Sequence, residues 1–221
     1  AEKWVEARAV IGFWPCTQNG DDITVFTDES RSEKLASFHG LRQQISKKGS
    51  TSSGGRKPNY NIADYVSPNG DYIGGFCVTA GINEDGRAQK FKDAGDDYNA
   101  ILFQALTDRL AESFAEHMHQ RVRREFWGYA PEEAFKGDDL IAEKYDGIRP
   151  APGYPAQPDH TEKRTLFTLL DAPAALYAGP AHLMRRAQVV WRAHAHQPDH
   201  FLPAAVDAQP VHCLVLGGVQ L

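Results

Sequence analysis

The sequence predicts a mixed α+β fold, and three observations carry that expectation. The first third is rich in apolar and β-branched stretches separated by polar turns. The middle holds one long run of apolar residues at helical spacing. A proline-stiffened loop follows.

In chain order, residues 8–14 read as a strand that ends at Pro15. The polar turn Asn19-Gly20-Asp21 follows, and then the β-rich Ile23–Phe26, so the two runs suggest a hairpin with a longer loop. Residues 46–58, from Ser46 to Pro58, form a low-complexity loop. Tyr60–Val66 and Tyr72–Thr79 are the next strand candidates, and Gly74-Gly75 in the second marks a bulge or a close contact. A long central helix is expected from about Asp96 to Phe126. Leu102, Leu106, Leu110, Phe114, Met118, Val122 and Phe126 recur every fourth residue there, and Ile101, Ala105 and Ala115 widen the stripe. A short helix is expected near Asp138–Tyr145. Another should start near Thr161, where Asp159 and Glu162 resemble a capping box. Periodicity fades beyond about Ala175, and Cys213–Leu216 reads as a single strand.

Composition narrows the function classes. The chain has 221 residues, 42% hydrophobic and 24% charged, which suits one soluble domain with a real core or two small ones. The net charge is −5 with no basic block, which argues against a nucleic-acid partner. No apolar run reaches membrane-spanning length. The three cysteines, Cys16, Cys77 and Cys213, are too few and too scattered for a disulfide framework, so a reducing cytoplasm is expected. His194, His196 and His200 could be drawn together, but they lack the flanking ligands of a metal site.

Arg149–Tyr154 is the most unusual segment. Four prolines fall within residues 150–158, so the path is extended and rigid and leaves backbone groups outside any helix or sheet. Ala151 and Gly153 would let a ligand approach the backbone. Arg149 supplies a fork for a carboxylate, and Tyr154 a ring for a base or a cation. Such a set suits a zwitterion carrying an aromatic base; the alternative is a proline-rich connector with a surface ion pair. Asp108, Glu112 and Glu116 form an acidic row at spacing four on the long helix. A row of this kind is ordinarily a solvated face, or else one carboxylate turns inward toward a cation. Glu143, six residues before Arg149, is either an exposed helix charge or a partner for a ligand amine.

Several ordered strings resemble the C-terminal activation domain of cobalamin-dependent methionine synthase. They include Gly12-Phe13-Trp14-Pro15, Asp28-Glu29-Ser30-Arg31, Leu41-Arg42-Gln43-Gln44, Asp96-Asp97-Tyr98-Asn99, Trp127-Gly128-Tyr129-Ala130-Pro131 and Gly147-Ile148-Arg149-Pro150-Ala151-Pro152-Gly153-Tyr154-Pro155. The match runs from about residue 9 to 175. It implies a C-shaped α+β domain with a twisted antiparallel sheet and flanking helices. It also implies a shallow groove for S-adenosylmethionine, lined by Glu112, Glu143, Arg149, Ala151, Gly153 and Tyr154, with no catalytic acid or base and no metal. The chemistry implied is reactivation. An oxidised cob(II)alamin, held by the neighbouring cobalamin-binding domain, would be remethylated by S-adenosylmethionine with one electron from a flavodoxin-like donor. The chain would then be a fragment of a methyltransferase, inactive alone. Asp108 and Glu84 would face the cobalamin domain.

Two departures from the family pattern shape the expected domain layout. An upstream Ile-Asp-Trp string is missing, so residues 1–175 read as an N-terminally truncated activation domain. Residues 176–221 lack the family's later strings, including a ligand-contacting tyrosine, and read as a divergent tail, frameshifted or disordered. A module that keeps the fold without the affinity is the alternative reading.

Overall fold

The computed structural model describes residues 4–44, 59–82, 84–145 and 149–176, with the backbone of Gln188–Ala193 and Leu214–Gln220. Its centre is strand β1, Glu6–Asn19, paired antiparallel along most of its length with β4, Asp71–Ile82. The far end of β1 forms a hairpin with β2, Asp22–Phe26, and β3, Lys34–Phe38, follows on. Two later strands complete the sheet. β5, Gln188–Ala193, pairs with β4, and β6, Leu214–Gln220, pairs with the first half of β1. The order is β3-β2-β1-β4-β5, all antiparallel, with β6 on the β1 edge that β2 occupies further along. β6 lies where the tail was expected to hold a strand, whereas β5 had no sequence signal. The expected loop at 46–58, Cys213 and the histidines of the tail lie outside the described residues.

β1 does not stop at Pro15. Residues 12–15 pair with β4 but with neither β2 nor β6, so an imino residue falls where one edge carries no ladder. Tyr60–Val66 is not a strand. Asn61 caps a single 3-10 turn, Ile62–Tyr65, accepting from the Ala63 N–H, while Asp64 accepts from the Asn61 N–H. That local capping competes with sheet pairing.

The two faces of β1 and β4 follow the period of two. Ala9 and Ile11 with Phe76 and Val78 face helix α2, Asp97–Arg121, where Ala115 and Met118 meet them. Val10, Trp14 and Cys16 with Ile73 and Cys77 face α4, Glu162–Leu169, and α5, Ala172–Leu176. Both faces are covered, so β4 is buried almost without a break. The glycine pair in β4 marks close contact rather than a bulge. A methyl at Gly74 would lie 2.6 Å from the Trp127 ring, and one at Gly75 2.7 Å from Leu166. Helix α1, Glu84–Asp93, leads into α2.

The long helix forms where expected, but its buried face is not the expected stripe. Ala100, Phe103, Thr107, Ala111, Ala115, Met118 and His119 point inward, while Leu102 and Leu106 are 52% and 53% exposed. A strict spacing of four overshoots a turn by about 40° per step, so the stripe winds away from the sheet over its six steps. Of the stripe, only Met118 and Val122 are fully buried, while Leu110, Phe114 and Phe126 pack against the core from its edge. The last turn, Val122–Phe126, is a π turn closed by the Trp127 N–H to the Val122 carbonyl at 2.8 Å. Helix α4 starts after Thr161 as expected, without a capping box. Asp159 accepts from the Thr161 N–H at 2.8 Å, and Glu162 is buried.

Candidate functional site

The site lies where the second half of α2 meets the segment after α3, Gly137–Ile141. Ala111 and Ala115 seat the helix on the sheet, which leaves Glu112 and Glu116 on its flank, one turn apart. Glu112 is exposed. Glu116 is half-buried and accepts a hydrogen bond from Nη2 of Arg149, 33 residues further on. Of the acidic row, Glu116 is thus the carboxylate that turns inward. Burial pushes its acidity toward the protonated form; the Arg149 charge and hydrogen bond oppose this, and Glu143 reinforces it. Glu143 is exposed and sits in the left-handed region at φ 51°, just past α3.

Arg149 Nε and Glu116 Oε2 are both buried and form no hydrogen bond among the described residues. A donor and an acceptor thus stand side by side with capacity to spare. The pair can take a carboxylate on one side and a cation on the other, the demands of a zwitterion.

The proline segment is less open than its composition suggests. The Gly153 N–H donates to the Gln157 carbonyl at 2.7 Å, the Tyr154 N–H to Ala151 at 2.9 Å and the Gln157 N–H to Tyr154 at 2.8 Å. The Ala156 carbonyl accepts from the Ile62 N–H at 3.0 Å, which ties the loop to the 3-10 turn. Gly153 is required by its φ of +104° and by the His160 ring, 2.1 Å from where a Cβ would sit. Its missing side chain makes room for the His160 ring. Ala151 is half-buried, and Tyr154 is 62% exposed with its ring open to solvent.

Behind this front lies a buried group with little trace in the local pattern. Arg123 is buried and held by Glu133, with Tyr145 and His119 packed around it. The arginine pair Arg123-Arg124 between Val122 and Phe126 was the one available signal, and it does not say which of the two is buried. Glu84, expected to face a partner, is 2% exposed and accepts from the Thr107 hydroxyl at 2.7 Å.

Residues 1–178 match the family model described as "Vitamin B12 dependent methionine synthase, activation domain". The chain belongs to this family. Among solved structures, the activation domain is similar to one described as "Crystal Structure of the MetH Reactivation Domain bound to AdoHcy". The two are 41% identical with a TM-score of 0.74, and the match covers 90% of this chain. The activation domain described here spans 62% of that longer chain. No described helix is long and apolar enough to cross a membrane.

Proposed function

We propose that this activation domain binds S-adenosylmethionine between the second half of α2 and the Arg149–Tyr154 segment, and presents its methyl group for reductive remethylation of cob(II)alamin. The observation that carries the reading is the Glu116–Arg149 pair with its unbonded, buried Nε and Oε2. These orphaned atoms fit a ligand that brings both a carboxylate and cations. The related domain bound to AdoHcy, which is S-adenosylhomocysteine, supports the same ligand class.

Each residue then has a role. Arg149 holds the ligand carboxylate. Glu112, Glu116 and Glu143 supply negative charge for its ammonium and sulfonium groups. Ala151 and Gly153 shape the wall, and the open Tyr154 ring covers the base. When bound, S-adenosylmethionine supplies an electrophilic methyl group and leaves as the neutral thioether. The chain contributes position rather than acid–base chemistry. Cobalamin belongs to a neighbouring domain of the same enzyme, a methyltransferase, and the electron to a flavodoxin-like donor, so the chain alone is inactive. Cys16 and Cys77 are buried free thiols, which accords with a cytoplasmic setting.

Calorimetric titration of the full chain with S-adenosylmethionine tests this, beside Arg149→Ala. Saturable binding is expected, weakened at least about tenfold in the variant, because hydrogen bonds to charged groups contribute about 1.5–3 kcal/mol. A folded chain that does not bind would be a fold kept without its ligand, and the reading would fail.

A further inference from the structure

Behind the Glu116–Arg149 pair lies a second charged group to which the binding reading gives no role. Arg123 stands in the π turn at the end of α2, and its side chain is fully buried. Its Nε and Nη2 each donate to one oxygen of Glu133, both at 2.6 Å. Its Nη1 lies 2.5 Å from Nδ1 of His119. Arginine only donates, so this Nδ1 is the acceptor. The guanidinium carbon lies 4.1 Å from the centre of the Tyr145 ring, and the His119 ring meets that ring edge-on at 4.8 Å.

Stability alone does not account for this arrangement. A buried ion pair is often matched or bettered by apolar side chains of the same volume. What the pair delivers is placement. A bidentate fork fixes the plane of the guanidinium, and that plane fixes a ring. Tyr145 lies two residues after Glu143 and four before Arg149, and its hydroxyl feels the charge of both. Even Glu116 lies within reach of the Arg123 charge. π turns are rare and are often found at functional sites.

We infer that Arg123 is a positioning residue for ligand binding: held by Glu133, it clamps the Tyr145 ring and so sets Glu143 and Arg149 against Glu116. The inference rests on the binding reading above, and its test separates the two. The full chain, Arg123→Lys, Tyr145→Leu and the double variant are titrated with S-adenosylhomocysteine, with circular dichroism confirming folding. Lysine keeps the charge but not the fork. Arg123→Lys weakens binding about tenfold, and in the Tyr145→Leu background the same change adds less than about twofold, because both act through one ring. A folded Arg123→Lys that binds within about twofold of the unaltered chain overturns the inference. So do two effects that simply multiply. If Arg123→Lys does not fold, Glu133→Gln, which keeps the size and loses the charge, takes its place under the same criteria. An unaltered chain that fails to bind overturns the binding reading and the positioning role together. A binding chain with an indifferent Arg123→Lys overturns the positioning role alone.

Discussion

Two carboxylates, the half-buried Glu116 and the buried Glu162, carry opposite meanings. Glu116 has a cation beside it and spare hydrogen-bonding capacity, the makings of a ligand contact. Glu162 faces the core from the first turn of α4. Burial raises its pKa above the usual glutamate value; the backbone N–H and the charge of His39 and the hydroxyl of Thr165 lower it, while Asp159 raises it. A raised value means that the folded state binds the proton more tightly than the unfolded chain. Stability therefore falls as the pH climbs from the ordinary glutamate range through the folded value, and the loss is complete above it. Glu162→Gln removes that penalty. Its unfolding temperature is expected to exceed that of the unaltered chain by about 2 °C or more at pH 7, and by nothing at pH 4, where both states are largely protonated. Thermal unfolding followed by circular dichroism at the two pH values measures the difference. An equal gain at both would show that the effect is packing and not charge.

At the scale of the element, α2 separates what periodicity reveals from what it hides. Seven apolar residues at spacing four announce a helix of the right length in the right place. They do not announce its inner face, because a helix turns every 3.6 residues, on average, and the stripe drifts. The small residues Ala111 and Ala115 let the helix lie close on the sheet, and that contact selects the face. Leu106→Gln is therefore expected to change stability by no more than about 0.5 kcal/mol, whereas Met118→Ala costs about 2–5 kcal/mol. Urea unfolding of the two variants decides the matter, and comparable losses would mean that Leu106 is a core residue after all. The proline segment shows the same limit. Its rigidity is legible in the composition, but the turn hydrogen bonds that consume its amides, and the His160 ring against Gly153, appear only in the folded loop.

For the molecule as a whole, the site is a joint between parts that fold separately in sequence. Glu116 and Arg149 come from a helix and a loop 33 residues apart, and the buried Arg123–Glu133 pair supports both. A ligand that bridges them binds only the folded chain, so it must raise stability by mass action. At one hundred times its dissociation constant the gain is about 2.7 kcal/mol. For a chain of this size that corresponds to an unfolding temperature about 5 °C or more higher in the presence of S-adenosylhomocysteine. Arg149→Ala should lose most of this shift at the same ligand concentration, and Glu162→Gln should keep it. A shift that survives Arg149→Ala intact would place the ligand elsewhere.

By itself the sequence determined the α+β class, the long helix, the hairpin and the rigid segment around Arg149, because each is written in local spacing and in residue types that restrict the backbone. Its ordered strings also carried the family. Which carboxylate meets Arg149, why Gly153 is glycine, and how Arg123 comes to be buried were decided only by the tertiary structure. These depend on the turn of one helix against a sheet and on side chains that the fold brings together from separations of four to 33 residues, and no local pattern encodes either.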